Sequence, residues 1–463
     1  MTESKQMISG ESETRKYLSP VIANLSVTVI GCLLIVLYRV GLQSRDGADI
    51  LWFIKVAFVQ SIFYLVAVWL ILRARTSPST LVLTLILATL FRLSILFAPP
   101  YLSDDIYRYV WDGRVQAAGI NPYRYIPSDE ALKNLRDEEI YPKINHRDSA
   151  QTIYPPVAEM IYFLTTRVSE SVTWMKTTMV LFEALGIWAI VQLLASFGLP
   201  RQRILIYAWH PLTVWEFAGS GHLDAIIIGF LALALLARRR NTEIATGVAL
   251  ASATLTKFFP GVLLPTLYKP WNWRLPLVFA TAIVVAYLPY LGVGPRGALG
   301  FLFGYARERG MESGEQFFLL SAIRRIPLGF HVPTVAFVVF AILILGGLAV
   351  WILRKQHENE SYIANALIMA SVFMVLVAPH FPWYFAWLIP FLCFIPSVPV
   401  FYLTLSSFLL YLTWLYWTDT QVFKIKTLMF VPFFLLVALM VWFKSRRDAM
   451  FIDRRTQTIP PAP

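Results

Sequence analysis

Two adjacent carboxylates, Asp104 and Asp105, begin a polar stretch that is rich in arginine and tyrosine. Because Ser103 or Asp104 can cap a short helix that starts here, a purely structural role is the first explanation to weigh. The density of polar groups favours a binding site, since acids, arginines and tyrosines are crowded into one segment. A sugar needs hydrogen bonds and aromatic stacking, and a phosphate needs cations such as arginine. The pattern therefore predicts a site for a phosphorylated sugar.

The helix predicted after the two acids places Tyr107, Trp111 and Arg114 on one face, at positions i, i+4 and i+7. Arg108 lies on the same helix, and Tyr154 follows later in the same polar stretch, just before two prolines. The alternative role for these aromatic residues is an interfacial belt at the membrane surface. We take all five as candidates for contact with a substrate.

Lys257 interrupts an apolar pattern and is followed by Phe-Phe-Pro. The apolar runs on either side are too short to cross a bilayer, so we expect the chain to turn at this lysine. A buried ammonium group is costly and is usually paired, and a lipid phosphate is a suitable partner. The alternative is a lysine that extends to the membrane interface.

Ionisable residues also cluster where two apolar segments meet, at Glu216, His222 and Asp224. A short polar turn is the simple explanation, but ionisable groups at this depth are functional candidates, here for orienting the acidic loop. Glu183 lies inside an apolar segment, where it has no evident partner in the sequence and is taken as a structural hydrogen-bonding group.

A second break in the apolar pattern contains His380 between two prolines, with Tyr384 shortly after it. A lone histidine is more often structural than catalytic. Arg307 and Arg309 lie in a further polar stretch and are candidates for phosphate binding, because guanidinium matches phosphate oxygens. Solvated loop arginines are the ordinary alternative.

The elements that must position these residues are membrane-spanning helices. The chain has 463 residues, 57% of them hydrophobic and only 15% charged, with a mean hydropathy of +0.60. Soluble domains carry about 25% charged residues. Long apolar runs match the thickness of a bilayer, so we predict an all-α polytopic membrane protein, a bundle of about 12–14 transmembrane segments with short helices in external loops. Some segments are too short to span alone and are expected to be broken or re-entrant.

Basic residues follow alternate apolar segments, as the positive-inside rule requires. The basic loops hold Arg73, Arg75, Arg201, Arg203, Arg238 to Arg240, Lys269, Arg274, Arg354, Lys355, Lys444, Arg446 and Arg447. The opposite short loops hold only Arg45, Lys424 and Lys426. This bias predicts that both termini are cytoplasmic and that the long polar stretches lie outside.

The resulting division of the chain has seven parts. They are a cytoplasmic segment 1–19, three transmembrane segments in 20–98, an external catalytic loop 99–171, transmembrane segments with a broken helix near Lys257 in 172–293, a second external loop 294–330, the C-terminal transmembrane segments 331–443 and a cytoplasmic tail 444–463.

Several function classes lack support in the sequence. The net charge of +12 fits cytoplasmic anchors and anionic lipid, and nucleic acid is not an expected partner. The two cysteines, Cys32 and Cys393, lie in apolar runs and offer no metal spacing. There is no G-x-x-x-x-G-K-[ST] phosphate loop, which removes support for ATP-driven transport.

The quoted motifs resemble a known family. The run SDDIYRYVWDGRVQAAGINPYRYIP at 103–127, followed by TIYPP at 152–156, is similar to the first external loop of bacterial polyprenyl-phosphate-mannose-dependent mannosyltransferases. These belong to the GT-C class, in glycosyltransferase family 87 or a close relative. Supporting motifs are WHPL at 209–212, GHLD at 221–224, TKFFP at 256–260 and APHFPWY at 378–384.

The resemblance implies an inverting glycosyltransferase of the bacterial inner membrane. It would move mannose or another hexose from a polyprenyl-phosphate donor to a glycan or glycolipid acceptor on the external face. By that analogy Asp105 is the first choice for catalytic base and Asp104 the second. The implied donor-phosphate ligands are Lys257, His380, Arg108 and Arg307, and the implied substrate-binding residues are Tyr107, Trp111, Arg114, Tyr154, His222, Asp224 and Tyr384. No metal or cofactor is predicted, although two adjacent acids could hold a divalent cation.

Two other functions remain open at this point. A lipid-linked glycan transporter or flippase would line a path through the membrane with charges and show related halves, whereas the polar groups here gather at one face. A glycan polymerase or ligase also has large external loops, but it uses a pyrophosphate-linked donor that carries an oligosaccharide.

Overall fold

The computed structural model describes residues 19–42, 50–74, 77–100, 102–327, 331–355, 361–416 and 418–444. Within these ranges the chain is helical and contains no β-strand, which confirms the predicted all-α class. The predicted cytoplasmic ends, 1–19 and 444–463, lie outside the described residues except at their boundary positions.

The helices that matter for the site are numbered here in chain order. They are α1 (Pro20–Gly41), α2 (Ile50–Arg73), α3 (Pro78–Leu96), α4 (Asp105–Ala117), α5 (Pro156–Thr166), α6 (Val172–Ser196), α7 (Asp224–Arg239), α8 (Glu243–Thr254), α9 (Arg274–Val293), α10 (Thr334–Lys355), α11 (Tyr362–Val377), α12 (Pro382–Leu392), α13 (Val398–Trp414) and α14 (Asp419–Lys444). The ends of α9 and α13 and the start of α12 are 3₁₀-helical.

Seven of these helices are long and apolar enough to cross a membrane: α1, α2, α3, α6, α9, α10 and α14. The other apolar segments are shorter, as expected for broken or re-entrant elements. Large apolar side chains are exposed on α10 and α14, as is typical of helices that face lipid. The chain is thus a polytopic membrane protein whose core includes both full spans and short helices.

A buried ion pair joins two of the spanning helices and explains Glu183. Arg92 of α3 binds both carboxylate oxygens of Glu183 in α6, one through Nε at 2.6 Å and the other through a terminal nitrogen. Both side chains are buried. Arg92 also donates to the carbonyl oxygens of Ala88 and Ala208, each at 2.9 Å. The partner of Glu183 is therefore a cation from a distant part of the sequence.

The polar stretch between α3 and α6 is folded rather than open. Helices α4 and α5 pack against each other, and the ring of Tyr109 stacks on that of Tyr162 with centroids 4.6 Å apart. The backbone N–H of Val157, at the start of α5, donates to the carbonyl oxygen of Leu255 at 3.0 Å. This bond joins the stretch to the end of α8.

The predicted breaks occur where the sequence placed them. Helix α8 ends at Thr254, just before Lys257, and His380 lies in the short connection from α11 to α12. Between α6 and α7 a π-helical turn, Val214–Gly219, leads to Gly221, which has a φ of 77°. A Cβ atom at Gly221 would collide with the side chain of Ile106, so this glycine allows the turn to lie against α4.

Candidate active site

The two adjacent acids open α4, but neither carboxylate caps it. Asp104 occupies the N-cap position without a side-chain capping bond, and Ser103 Oγ accepts the backbone N–H of Asp105 at 3.2 Å. Asn145 instead donates its side-chain N–H to both carboxylates, at 2.6 Å for Asp105 and 3.2 Å for Asp104. The capping explanation is therefore wrong for the Asp104 and Asp105 side chains, which face a cavity.

The two carboxylates differ in environment. Asp104 is exposed, whereas the Asp105 side chain is about one-quarter exposed. Partial removal from water and the adjacent Asp105 carboxylate raise the pKa of Asp104, although the bond from Asn145 opposes that shift. Asp105 is thus the more enclosed member of the pair.

The cavity has a volume of about 510 Å³ and collects residues from distant parts of the chain. Its wall includes eight predicted site residues: Asp104, Asp105, Tyr107, Arg108, Tyr154, Lys257, Arg309 and Tyr384. Other residues in the wall that bear on the chemistry are Asn145, His146, Tyr305, Phe381, Trp383 and Trp414. All of these except Trp414 lie in segments that the sequence analysis predicted to be on the non-cytoplasmic side of the membrane.

His222 lies directly behind Asp105. Its Nε2 is 3.9 Å from a carboxylate oxygen of Asp105 and has no hydrogen-bond partner among the described residues. Its Nδ1 is 2.9 Å from Glu216, which also accepts the phenol O–H of Tyr411 at 2.6 Å. Because a carboxylate only accepts, Nδ1 carries the proton and Nε2 faces Asp105. The ring also stacks on Trp383, with centroids 4.0 Å apart.

Lys257 reaches the cavity but is already paired. Its Nζ donates to both carboxylate oxygens of Asp224, at 3.0 and 3.1 Å, and lies 3.7 Å from the centroid of the Tyr384 ring. Asp224 is buried at the start of α7, so Lys257 neutralises a carboxylate that would otherwise be alone. The sequence predicted that the chain turns at Lys257, but it did not predict that Asp224 is the partner of this lysine.

Arg108 is also engaged within the protein. Its Nε binds both oxygens of Asp112, at 2.8 and 3.0 Å, and a terminal nitrogen donates to the carbonyl of Ala150. Asp112 in turn interacts with Glu159, whose pKa is raised well above its usual value by burial and by the Asp112 carboxylate. Arg108 therefore lines the cavity while its charge balances a buried acid pair.

Arg309 also lies in the wall, and no carboxylate of a described residue pairs with it. It stacks on Phe381 and Tyr305, at 4.5 and 4.9 Å from the ring centroids, and its Nε has no partner within the described ranges. Arg307, the other arginine that the sequence suggested for phosphate binding, is about three-quarters exposed and pairs with Glu312 at 3.0 Å. It lies outside the cavity because the short helix Leu302–Glu308 points it to solvent, so its predicted phosphate contact does not fit its position.

Other predicted contacts also lie away from the cavity. Trp111 is fully buried against Tyr141, and Arg114 pairs with Asp137 and Glu170 at 2.7 and 2.8 Å. Both lie farther along α4, which runs away from the cavity, so their substrate contacts do not fit the geometry. His380 lines a neighbouring, smaller cavity.

The sequence predicted only some of the aromatic residues that line the cavity. Phe381 stacks on Trp383 with centroids 4.5 Å apart, and the hydroxyls of Tyr305 and Tyr384 are 2.9 Å apart. Such faces and hydroxyls suit a sugar ring. The APHFPWY motif contained the signal for Phe381 and Trp383, but nothing in the sequence pointed to Tyr305. No group of three or more His, Cys, Asp or Glu side chains within the described ranges could hold a metal ion.

Comparison with known proteins shows similarity to enzymes that transfer a sugar. Residues 21–286 match the family model described as "Alpha-(1->6)-mannopyranosyltransferase, N-terminal domain". The chain is also 24% identical over 337 residues to Alpha-(1->6)-mannopyranosyltransferase A of Corynebacterium glutamicum, an alignment that covers 64% of this chain and 67% of that protein. The matched region contains the two acids, the His222 turn and Lys257.

Proposed function

The chain belongs to the alpha-(1->6)-mannopyranosyltransferase family, and from that membership we propose that it transfers mannose from a polyprenyl-phosphate donor to a glycan or glycolipid hydroxyl on the non-cytoplasmic side of the membrane. Its membership makes it a membrane glycosyltransferase. The observation that carries the finer proposal is the placement of Asp105 between His222 and a cavity whose wall also holds Arg309.

The reaction is a single displacement at the anomeric carbon. The acceptor oxygen forms a bond to that carbon while the bond to the phosphate oxygen breaks, and the electron pair leaves with the polyprenyl phosphate. The acceptor proton passes to Asp105, which must lie within about 3 Å of the acceptor hydroxyl. Because one displacement inverts the anomeric centre, a β-linked donor gives an α-mannoside.

Charge develops on the leaving phosphate, and Arg309 is placed to balance it. Guanidinium can bind two phosphate oxygens at once, and its stacking on Phe381 and Tyr305 fixes its plane. Lys257 and Arg108 add positive potential at the same wall, but their charges are largely balanced by Asp224 and Asp112. Hydrogen bonds from Asn145 hold the acid pair in place.

The test is transfer of radiolabelled mannose from polyprenyl-phosphate mannose in membranes. Asp105→Asn should reduce transfer by about a hundredfold or more, as loss of a general base does. Asp104→Asn should keep most of the activity, because the more enclosed Asp105 remains. Transfer by wild type that survives Asp105→Asn would remove it as the base. No transfer by wild type would refute the donor assignment.

Sidedness needs its own measurement. Glu130, in the 3₁₀ helix Glu130–Leu135, is exposed on the folded polar stretch and is not part of the cavity wall. A Glu130→Cys variant, made in a chain with Cys32→Ser and Cys393→Ser, should react with a membrane-impermeant maleimide applied to intact cells. Labelling only after the cells are permeabilised would place this stretch in the cytoplasm and overturn the proposal.

A further inference from the structure

A second cavity of about 220 Å³ adjoins the first, and Arg309 lines both. It lies where α14 begins, beside the short helix Phe318–Arg324 and the connection that holds His380. The mannosyl-transfer chemistry above makes no use of its other residues.

The buried part of this cavity is cationic. Lys426 is 1% exposed, and its Nζ donates to the backbone carbonyl oxygens of Gln316 and Ala378, at 2.7 and 2.5 Å. No carboxylate binds this ammonium group in the part of the chain that the structure describes. A buried charge without a counter-charge is costly, so an anion at this position would stabilise it.

The arginines that line this cavity add positive charge. The His380 side chain is buried, and its pKa is lowered by that burial and by the positive charges of Lys426 and Arg309, so the histidine itself adds no charge. Arg324 donates to the carbonyls of Val332 and Ser313 and to the hydroxyl of Thr334.

Arg325 donates to the carbonyl of Ser321 and lies 3.8 Å from the centroid of the Phe423 ring. Neither Arg324 nor Arg325 is in an ion pair with a described residue.

Carboxylates are present, but only at the rim. Glu308, Glu315 and Asp419 line the cavity, and all three are exposed to solvent. Glu308 is also 3.7 Å from the ring of His146. The acidic groups are therefore hydrated, whereas Lys426 and His380 are not. This arrangement attracts an anion to the inner end of the cavity.

We propose that this second cavity binds the phosphate group of a membrane lipid. Helix α14, which is long enough to cross the membrane, starts at Asp419, so the cavity lies at the level where lipid head groups meet water. The apolar side chains of Leu428, Val431 and Leu435, on the opposite face of α14 from the cavity, are exposed, as in a helix that contacts lipid chains.

The inference rests on the proposed function only where the lipid is the polyprenyl phosphate. In that case the phosphate freed by transfer reaches the second cavity without leaving Arg309, since this residue lines both. The cavity then serves as the place where the spent carrier waits before it diffuses away. A bulk anionic phospholipid would use the same cationic groups.

The experiment measures equilibrium binding of fluorescent polyprenyl phosphate to the purified full-length protein in detergent. Arg325→Gln and Lys426→Gln should each weaken binding about tenfold, the loss expected for one charge-assisted contact. Arg307→Gln is the matched control, because Arg307 is in the same polar stretch but outside both cavities. It should bind like wild type. Arg325 is exposed, so its variant tests the site even if Lys426→Gln fails to fold.

Competition then identifies the source of the phosphate. Displacement by polyprenyl phosphate but not by phosphatidylglycerol indicates the carrier lipid, and equal displacement indicates a bulk head group. Binding that is unchanged in both cavity variants, or displacement by inorganic phosphate at the same concentration as by lipid, would overturn the proposal. Because the assay measures binding without a sugar, failure of mannose transfer leaves its outcome interpretable.

Discussion

The Nε2 atom of His222 faces a carboxylate oxygen of Asp105 across 3.9 Å, and Glu216 holds the opposite ring nitrogen at 2.9 Å. Both His222 and Glu216 are buried, whereas Asp105 borders the cavity. In the proposed mechanism the histidine orients Asp105 and stabilises the proton that this acid receives, without itself lining the cavity.

Replacing His222 with phenylalanine tests this positioning role. The aromatic ring can still stack on Trp383, but the polar edge that faces Asp105 is lost. Misplacement of a catalytic group by about 1 Å can cost roughly a hundredfold in rate. We expect kcat to fall by about that factor while the KM for the donor changes little. Steady-state kinetics with both substrates measure kcat and KM separately. An unchanged kcat would show that Asn145 alone suffices to orient Asp105.

Arg309 and Arg307 form a natural pair for testing phosphate recognition. Arg309→Gln removes from the cavity wall a guanidinium whose Nε has no partner among the described residues, whereas Arg307→Gln removes an exposed one that binds Glu312. A hydrogen bond to a charged group contributes about 1.5–3 kcal/mol, so kcat/KM should fall at least about tenfold for the first variant. Arg309→Lys should not restore it, because an ammonium cannot bind bidentately. Equal effects of the two glutamine variants would contradict this assignment.

The ion pair between Arg92 and Glu183 predicts a large loss of stability when one partner is removed. Glu183→Leu leaves a buried guanidinium without its carboxylate, and such changes cost about 3–5 kcal/mol. The double variant Arg92→Met with Glu183→Leu should recover much of that loss, because no charge stays buried. Thermal unfolding in detergent, monitored by size-exclusion chromatography, compares the stability of the single variant, the double variant and wild type. A single variant that is as stable as wild type would mean that water reaches Arg92.

The buried carboxyl groups of Asp112 and Glu159, next to Arg108, predict that the stability of the fold depends on pH. The pKa of Glu159 is raised from its usual 4.5 by burial and by Asp112, so the folded chain binds this proton more tightly than the unfolded chain. Its contribution to stability is complete below about pH 4.5 and is lost as the pH rises through the folded pKa. We expect the melting temperature to fall as the pH rises above about 4.5, and Glu159→Gln to flatten that fall. A fall in melting temperature that is as steep in the variant as in wild type, or steeper, would contradict the raised pKa of Glu159.

Local features were predictable from the sequence because they depend on neighbouring residues. The start of α4 at the two acids, the turn at Lys257 and the break around His380 all follow from apolar runs that end at polar residues or proline. The all-helical class follows from the same runs and from the low proportion of charged residues.

Pairings across the chain were not predictable, since no local pattern encodes them. Glu183 finds Arg92, and Lys257 finds Asp224, only when separate helices pack together. The choice between Arg307 and Arg309 depends on where a short helix ends, and sequence patterns do not fix such ends to one residue. Trp111 shared a helical face with Tyr107, but one further turn carries it away from the cavity and into the core.

The two walls of the large cavity come from different parts of the chain. Asp105 and Lys257 lie within residues 21–286, as does His222 behind Asp105, whereas Arg309, Phe381 and Trp414 follow later. In the proposed mechanism, proton transfer and recognition of the leaving group are thereby encoded in separate stretches of the gene. Exchanging the later stretch with that of a relative should change which lipid carrier is accepted and keep the base intact, which offers a route to redesigning donor preference by recombination.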